Sequence, residues 1–434
     1  MLISRKVKEV AKEMVKNIMK FLLGTVAYNR HIQNIALALF EANVLGAYYT
    51  AGVDNYRNSW SRKVRQVFGD FWPALDRQLF RRKIVTIPDH LIVKHWTWEG
   101  LRKLAERLGA GPLAVDWLWE KSELSLDSRC ASLISKGLYN AFLGVEHGCL
   151  FTIKAAKKTG KKNIVAFLSP HHATREKWVD EEYKKFPELL SSATKRLLEK
   201  GKERDRRRDE EANLADVIHT NSRFTTDSLV AAGFDSNKIV TVPLGSPSCV
   251  SENELSNGLP SQTKFIYAGQ ISVGKGAHYL LMAWKKLGVF RGAELHFYGL
   301  PHLPKDCLVG LSENVFFHGS VPQTELFSAY HRSSILVFPS LCDGFGMVVL
   351  EAMAQGLPVI TTPNVGASFF IEEGKNGFLV PPRDEDALVQ KLQWCIENPS
   401  ALREMRQRAL MTAQSWTWAD YRSSLMQQLQ QWLN

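Results

Sequence analysis

Apolar positions along the chain fall into short runs that stop at glycine, proline or small polar clusters, with stretches of helical composition between them. The clearest unit is Leu336 to Thr361, LVFPSLCDGFGMVVLEAMAQGLPVIT. The run Ile335 to Phe338 predicts a strand. It meets Pro339-Ser340 and then a turn with Asp343, Gly344 and Gly346. Met347 to Ala354 has helical composition without a breaker. Gly356 and Pro358 stop it, and Val359-Ile360 begins another strand. Strand, turn, helix and strand form the building block of an open parallel sheet. In such sheets ligands sit outside the C-terminal strand ends, at helix N-termini. Asp343 lies in that turn and Glu351 eight residues on, on the helix. Two carboxylates there suit neutral hydroxyls of a sugar or a ribose, which need acceptors.

The same alternation recurs. Phe21 to Val26 predicts a first strand and Ile32 to Ala42 a helix. Ile164 to Leu168 predicts a strand ending at Ser169-Pro170-His171-His172. Residues 173 to 214 read as one long, highly charged helical region, and its GKERDRRRDEE stretch, Gly201 to Glu211, as a solvated face. Ala215 to Ile218 predicts a strand. Phe265 to Ala268 runs as a strand into Gly269, followed by Gln270, Gly274, Lys275, Gly276 and a helix over Ala277 to Leu287. Glu294–Tyr298 and Val315–Gly319 predict further strands, and from Asp384 the chain reads helical. Residues 1 to 20 read as a basic amphipathic helix, packed on a domain or lying on a membrane surface. Residues 50 to 115 interleave Trp60, Trp72, Trp96 and Trp98 with arginines. They read either as an interfacial or acceptor-binding surface or as a helical insertion with solvated charges.

Composition narrows the class. At 434 residues, 45% apolar and 23% charged, the chain has the size and make-up of a folded protein of two domains. The net charge of +11 favours polyanions, anionic lipid surfaces or phosphorylated substrates. No finger, ribbon or aromatic-and-basic repeat accompanies it, so no nucleic-acid partner is expected. The six cysteines are scattered without C-x-x-C and read as reduced structural thiols of a cytoplasmic protein. No apolar run is long enough for a transmembrane span, and the N-terminus lacks a signal-peptide pattern. Gly269 to Lys275 lacks Ser or Thr after the lysine and so fails as a P-loop. No D-x-D stands in the predicted strand-end turns and no Cys/His cluster appears, so no metal and no cofactor are expected.

The run PS-x-x-D-G-F-G-M-V-x-L-E-A-M-A-x-G-x-P-V-I resembles the signature of the retaining GT-B glycosyltransferases of family 4 (glycosyl transferases group 1). Further segments resemble the family's landmarks: Ala215-Asp216 with Ile218, Ser222 and Phe224; Val242 to Gly245; and Gly269-Gln270 with Lys275-Gly276. The resemblance implies an α/β fold of two Rossmann-like parallel-sheet domains facing across a cleft. The basic extension would occupy 1–20, the acceptor-side domain 21–246, a linker 247–263 and the donor domain 264–410. A C-terminal helix, 411–434, would cross back to the first domain. It also implies retaining transfer of a sugar from a UDP- or GDP-type nucleotide-sugar to a glycan or lipid-linked acceptor hydroxyl; the basic balance and the N-terminal helix, not the resemblance, add an anionic membrane surface as a candidate partner. His171, with His172 as the alternative, Lys275, Asp343 and Glu351 would stand at the reaction centre. Gly269, Gln270, Lys275, Gly344, Phe345, Gly346 and Glu351 would hold the donor, with Lys275 on the diphosphate and Glu351 on the ribose. Three positions depart from the family pattern: Asp343 stands for Glu, Gln270 for Arg, and the loop after the first strand has no Gly-Gly. They favour the runner-up reading, a non-catalytic nucleotide- or glycan-binding scaffold on the same fold.

Overall fold

The structure is a computed structural model that describes residues 19–51, 86–255, 262–288 and 292–433. The basic stretch 1–18 and much of the aromatic stretch, 52–85, lie outside the described residues. The chain forms two compact units. One holds the described residues up to Ala166, Arg196–His219 and those from Arg422 on; the other holds Phe167–Lys195 and Thr220–Tyr421.

Two separate parallel sheets, each flanked by helices, make up the fold. The first contains β1 (Phe21–Thr25), β2 (Leu45–Thr50), β3 (Ile92–Lys94), β4 (Ala141–Val145), β5 (Lys162–Phe167), β6 (Val217–Thr220) and β7 (Ile239–Thr241), in the order β3-β2-β1-β4-β5-β6-β7. The helices of eight or more residues in this part of the chain are α1 (Arg30–Glu41), α2 (Thr97–Arg107), α3 (Pro112–Ser135), α4 (Leu150–Lys158), α5 (Ser192–Leu214) and α6 (Arg223–Ala231). The second sheet contains β8 (Thr263–Ala268), β9 (Ala293–Tyr298), β10 (Val315–Gly319), β11 (Ile335–Phe338), β12 (Val359–Thr361) and β13 (Gly377–Leu379), in the order β10-β9-β8-β11-β12-β13. With it go α7 (Ala277–Leu287), α8 (Gln323–His331), α9 (Met347–Ala354), α10 (Glu385–Glu397) and α11 (Pro399–Gln414), while α12 (Trp418–Leu433) belongs to the first unit from Arg422 on.

Central strands of a parallel sheet are covered on both faces, so they read as unbroken apolar runs. β1, FLLGT, and β11, ILVF, are buried at every residue. β1 pairs in parallel with β2 and β4, and β8 with β9 and β11. Strand order therefore reverses beside β1 and beside β8. Each reversal opens a crevice outside the strands' C-terminal ends, where such sheets hold ligands.

In the first unit Asn29 caps α1, its Oδ1 accepting from the Ile32 amide at 3.0 Å. The next residues of α1 turn inward: His31 is buried edge-on to His219, with ring centroids 5.8 Å apart. Burial and the His219 ring hold the His31 imidazole well below its usual range. In the second unit the core is aromatic, with Phe265 against Trp284 and Tyr267 against Phe297. The buried guanidinium of Arg406, on α11, donates to the carbonyls of Ser333 at 2.8 Å and His331 at 3.1 Å, closing the C-terminal end of α8. Trp416 donates its indole N–H to the Pro243 carbonyl at 3.0 Å, and Arg422 pairs with Glu41 at 2.8 Å. The last residues thus group with α1.

Two expectations are corrected. Residues 173–214 are not one helical region. A short helix at His172–Arg175, a π turn at Glu176–Asp180, a helix at Glu181–Lys185 and a 3₁₀ turn at Pro187–Leu189 precede α5. Pro187 stops the run, because its ring excludes the residue before it from helical geometry. Nor is Gly201–Glu211 a solvated face: Asp205, Arg208 and Glu211 are buried. Oppositely charged partners make that burial tolerable. Arg208 pairs with Glu146, Arg204 with Asp116, and Arg207 with Glu120. Glu211 accepts from the amides of His147 at 2.8 Å and Cys149 at 3.0 Å, ahead of α4.

Candidate functional site

The site is built on the second unit, where the chain leaves β8 and β11. The buried Tyr267 phenol at the end of β8 donates to the Gln270 carbonyl at 2.6 Å, fixing the loop that carries Lys275. The Gly274 carbonyl accepts from the Leu341 amide and the Ser340 hydroxyl, each at 3.0 Å. These bonds join the β8–α7 loop to the β11–α9 loop. Gly276, at φ +68, enters α7 so close to the second loop that a Cβ would stand 1.9 Å from the Pro339 carbonyl oxygen. Glycine is required on both counts.

Lys275 and Asp343 meet in this paired-loop frame, with Nζ 2.7 Å from Oδ2. The other carboxylate oxygen of Asp343 accepts from the Phe345 amide at 3.2 Å, bending the turn toward α9. Gly346, at φ +76, starts that helix. The Asp343 backbone bridges to Val365, with its amide donating to the Asn364 carbonyl at 3.0 Å. A charge pair therefore sits at the strand-order reversal, close to the start of α9.

The strand-end loop carrying the histidines is tied to this turn. A Cβ on Gly344 would stand 2.0 Å from the Leu168 carbonyl oxygen. The Ser222 hydroxyl donates to the Gly344 carbonyl at 2.5 Å, and the Asn221 side-chain amide to the Leu168 carbonyl at 2.9 Å. Three residues beyond Leu168, His171 is buried and its amide donates to the Ser228 hydroxyl at 2.9 Å. Its Nδ1 accepts from the Ala173 amide at 3.2 Å, so Nε2 carries the proton of the neutral ring. His172 lies over it, ring centroids 4.0 Å apart.

Glu351 stands one helical stretch away on α9, where Gln323 at the start of α8 donates to its Oε1 at 3.1 Å. The buried Tyr330 phenol is pushed up by burial and by the neighbouring Glu351 carboxylate. The structure thus joins Lys275, Asp343, Gly344, Phe345 and Gly346 directly, holds Gly269 and Gln270 at the mouth of the same loop, and ties the His171 segment to the turn through Leu168.

Sequence reasoning missed the residues that do the tying. Ser222 was visible only as a landmark, and Asn221 and Tyr267 carried no signal as loop anchors. It also missed a cluster beneath the lysine loop, where Glu182 receives Arg383 and lies 3.2 Å from the buried His278. The methyls of Val179 would be 3.5 Å from a Cβ on Gly274. The segment after His171 is therefore packed onto the loop that holds Lys275.

This frame defines a class. Residues 262–398 match the family model described as Glycosyl transferases group 1, and the two parallel sheets make the GT-B architecture. Among curated relatives, D-inositol 3-phosphate glycosyltransferase of Streptomyces griseus is 33% identical over 110 residues, which are 25% of this chain and 23% of that protein. The stretches matched in the curated relatives span 23% to 60% of those proteins' own length, less than two thirds in each. Sucrose-phosphate synthase from Thermosynechococcus elongatus shares the fold, with a TM-score of 0.63 at 16% identity over 96% of this chain and 99% of that one. So does Anabaena HepE in complex with UDP and glucose, with a TM-score of 0.61 at 16% identity over 95% and 100% of the two chains. No helix among the described residues is long and apolar enough to cross a membrane.

Proposed function

We propose that the protein is a retaining, metal-independent glycosyltransferase. It would move a sugar from a UDP- or GDP-type nucleotide-sugar to a hydroxyl of a glycan or lipid-linked acceptor. The observation that carries this reading is the Lys275–Asp343 pair, fixed by two interlocked loops at the strand-order reversal of a sheet whose sequence matches the group 1 family. The relative crystallised with UDP and glucose supports a nucleotide-sugar as the donor.

On this reading the donor diphosphate competes with Asp343 for the Lys275 ammonium. Once displaced, the Asp343 carboxylate accepts from a sugar hydroxyl, and the amides from Gly344 to Gly346 line the same turn. Glu351 accepts from the ribose hydroxyls. As the bond from the anomeric carbon to the diphosphate oxygen breaks, negative charge grows on that oxygen. Lys275 stabilises it where it develops, the work a metal ion does elsewhere. The acceptor oxygen bonds to the anomeric carbon on the face the diphosphate leaves, and its proton passes to the departing phosphate oxygen. Configuration is retained without a protein nucleophile. His171 offers Nε2–H to the sugar, with its tautomer held by the Ala173 amide.

The test is binding and hydrolysis of a panel of nucleotide-sugars, with and without EDTA. Wild type is compared with Lys275→Ala and Glu351→Ala. One donor is expected to bind and turn over slowly, unaffected by EDTA. Lys275→Ala should lower turnover about a hundredfold, while Glu351→Ala should act mainly on donor affinity. A donor that binds but never turns over beside candidate acceptors would put the non-catalytic scaffold in first place.

A further inference from the structure

The first unit displays an apolar surface that its own core does not use. Leu101, Leu104 and Leu108 are 46%, 53% and 78% exposed, and Trp117 is 46% exposed. Leu101 and Leu104 lie on α2 and Leu108 at its C-terminal end, at positions i, i+3 and i+7, so they form one stripe. Trp98, one turn before Leu101, meets Trp117 of α3 edge-on, with centroids 6.0 Å apart. The stripe therefore continues onto the second helix. The opposite side of α2 is spoken for: buried Glu99 takes two bonds from Arg102, each 2.7 Å.

Charge around the stripe is sorted by sign. The acids of α3 turn toward α5, where Asp116 meets Arg204 and Glu120 meets Arg207. On α2, Glu106 is met by Arg102 and Lys103. Exposed Arg107, Lys121 and Arg129 remain on the outer side, and the Lys121 ammonium lies 5.6 Å from the Trp117 ring centre. Leucines and tryptophans in a helical stripe, rimmed by lysine and arginine, match a lipid interface, with side chains among the acyl chains and cations at anionic headgroups. A second copy of the chain would bring like charges together at the rim.

We propose that the α2–α3 hairpin docks on an anionic lipid bilayer through Leu101, Leu104, Leu108 and Trp117. The inference deepens the lipid-linked branch of the functional reading and rests on it only for its purpose. Docking is read without turnover, so the two fail separately.

The test is co-sedimentation of the full chain with phosphatidylcholine vesicles and with phosphatidylcholine–phosphatidylglycerol vesicles. Binding to the mixed vesicles, weaker to the neutral ones, is expected. Leu104→Asp with Leu108→Asp should weaken it about tenfold or more, as should Trp117→Ser. Leu300→Asp, an equally exposed position on the second unit, should leave it unchanged. Circular dichroism and donor binding unchanged in the same variants would show that they fold. Three results would overturn the proposal. One is no vesicle binding by wild type. Another is binding that survives the paired aspartates and yields only to salt, which places the contact elsewhere. The third is a concentration-dependent dimer that the same substitutions abolish, which would make the stripe an interface between copies.

Discussion

The loop between β11 and α9 and the helix α5 both gather charged side chains, and they do so by opposite means. In the loop, Asp343 and Lys275 are held by backbone. Glycines let two turns approach within contact, and carbonyls and amides lace them together. The pair itself stays partly open to solvent. On α5 the backbone is an ordinary helix. Arg208 and Glu211 are buried because carboxylates and amides from distant elements meet them. The first arrangement leaves a charge pair that a ligand can enter and rearrange. The second commits its buried charges to the fold. The difference separates a candidate site from a structural network better than charge density does.

The sharpest way to break the comparison is at Arg208. Its partner Glu146 is almost wholly buried with it. Arg208→Ala would strand that carboxylate, at a cost of about 3–5 kcal/mol. Urea unfolding should show it as a lower midpoint. Adding Glu146→Gln should recover part of the loss, because the stranded charge is gone. If the arginine were solvated, as its charged surroundings in sequence suggest, neither change would matter.

Gly344→Ala probes the other side. The added methyl would stand 2.0 Å from the Leu168 carbonyl oxygen, a backbone atom that cannot rotate away. The turn or the strand-end loop must shift, at about 1–3 kcal/mol. Stability should fall less than in Arg208→Ala, while donor turnover falls more. The shift separates Asp343 from the histidine loop without touching either side chain. Equal loss of stability and turnover would mean that the loop contact serves folding alone.

These two positions also show what the sequence made legible. β1 and β11 stand out because complete burial turns each into an apolar run. β10, α7 and α9 also fall on the predicted residues, β10 as an apolar run that is largely exposed. The Asp343 turn was readable because its parts lie within four residues. The Ser222–Gly344 bond was not, since 122 residues separate its partners. Arg208 and Glu146 are 62 residues apart, and Arg204 and Asp116 are 88 apart. Read alone, a charged stretch looks solvated, and only the fold supplies its counter-charges. The α2–α3 hairpin was obscure for a related reason. Its exposed leucines and buried acids reverse the usual pattern, so periodicity along it does not say which face turns inward.

Acidity gives a smaller, graded effect. Burial pushes the Glu211 carboxyl up from 4.5 to about 7, and it pushes Glu123 and Asp127 in the same direction. A raised folded-state value means that the native state holds protons the unfolded chain has released. For Glu211 the stabilisation is therefore full below about 4.5 and is lost as pH rises through about 7. Across that window Glu211 lowers stability by at most about 1.4 kcal/mol per pH unit. Urea midpoints measured from pH 5 to about pH 8 should fall with rising pH, and Glu211→Gln should flatten the slope. A rise instead would mean that the nearby arginines, not burial, govern this carboxyl.

The smallest effect belongs to Lys154 and Glu210. Glu210 is the neighbour of Glu211 on α5, and its ion pair with Lys154 is 2.6 Å long, shorter than most in the molecule. Both side chains are about half exposed, 49% and 48%. Water screens the pair in either state, and holding two long side chains together costs rotamer freedom. Lys154→Ala should change stability by no more than about 0.5 kcal/mol, with no dependence on whether Glu210 is present. One helix would then carry, two residues apart, the least and the most consequential of its ion pairs. Burial, rather than length, would be what ranks them. A loss at Lys154 as large as that at Arg208 would remove the distinction on which the comparison between loop and helix depends.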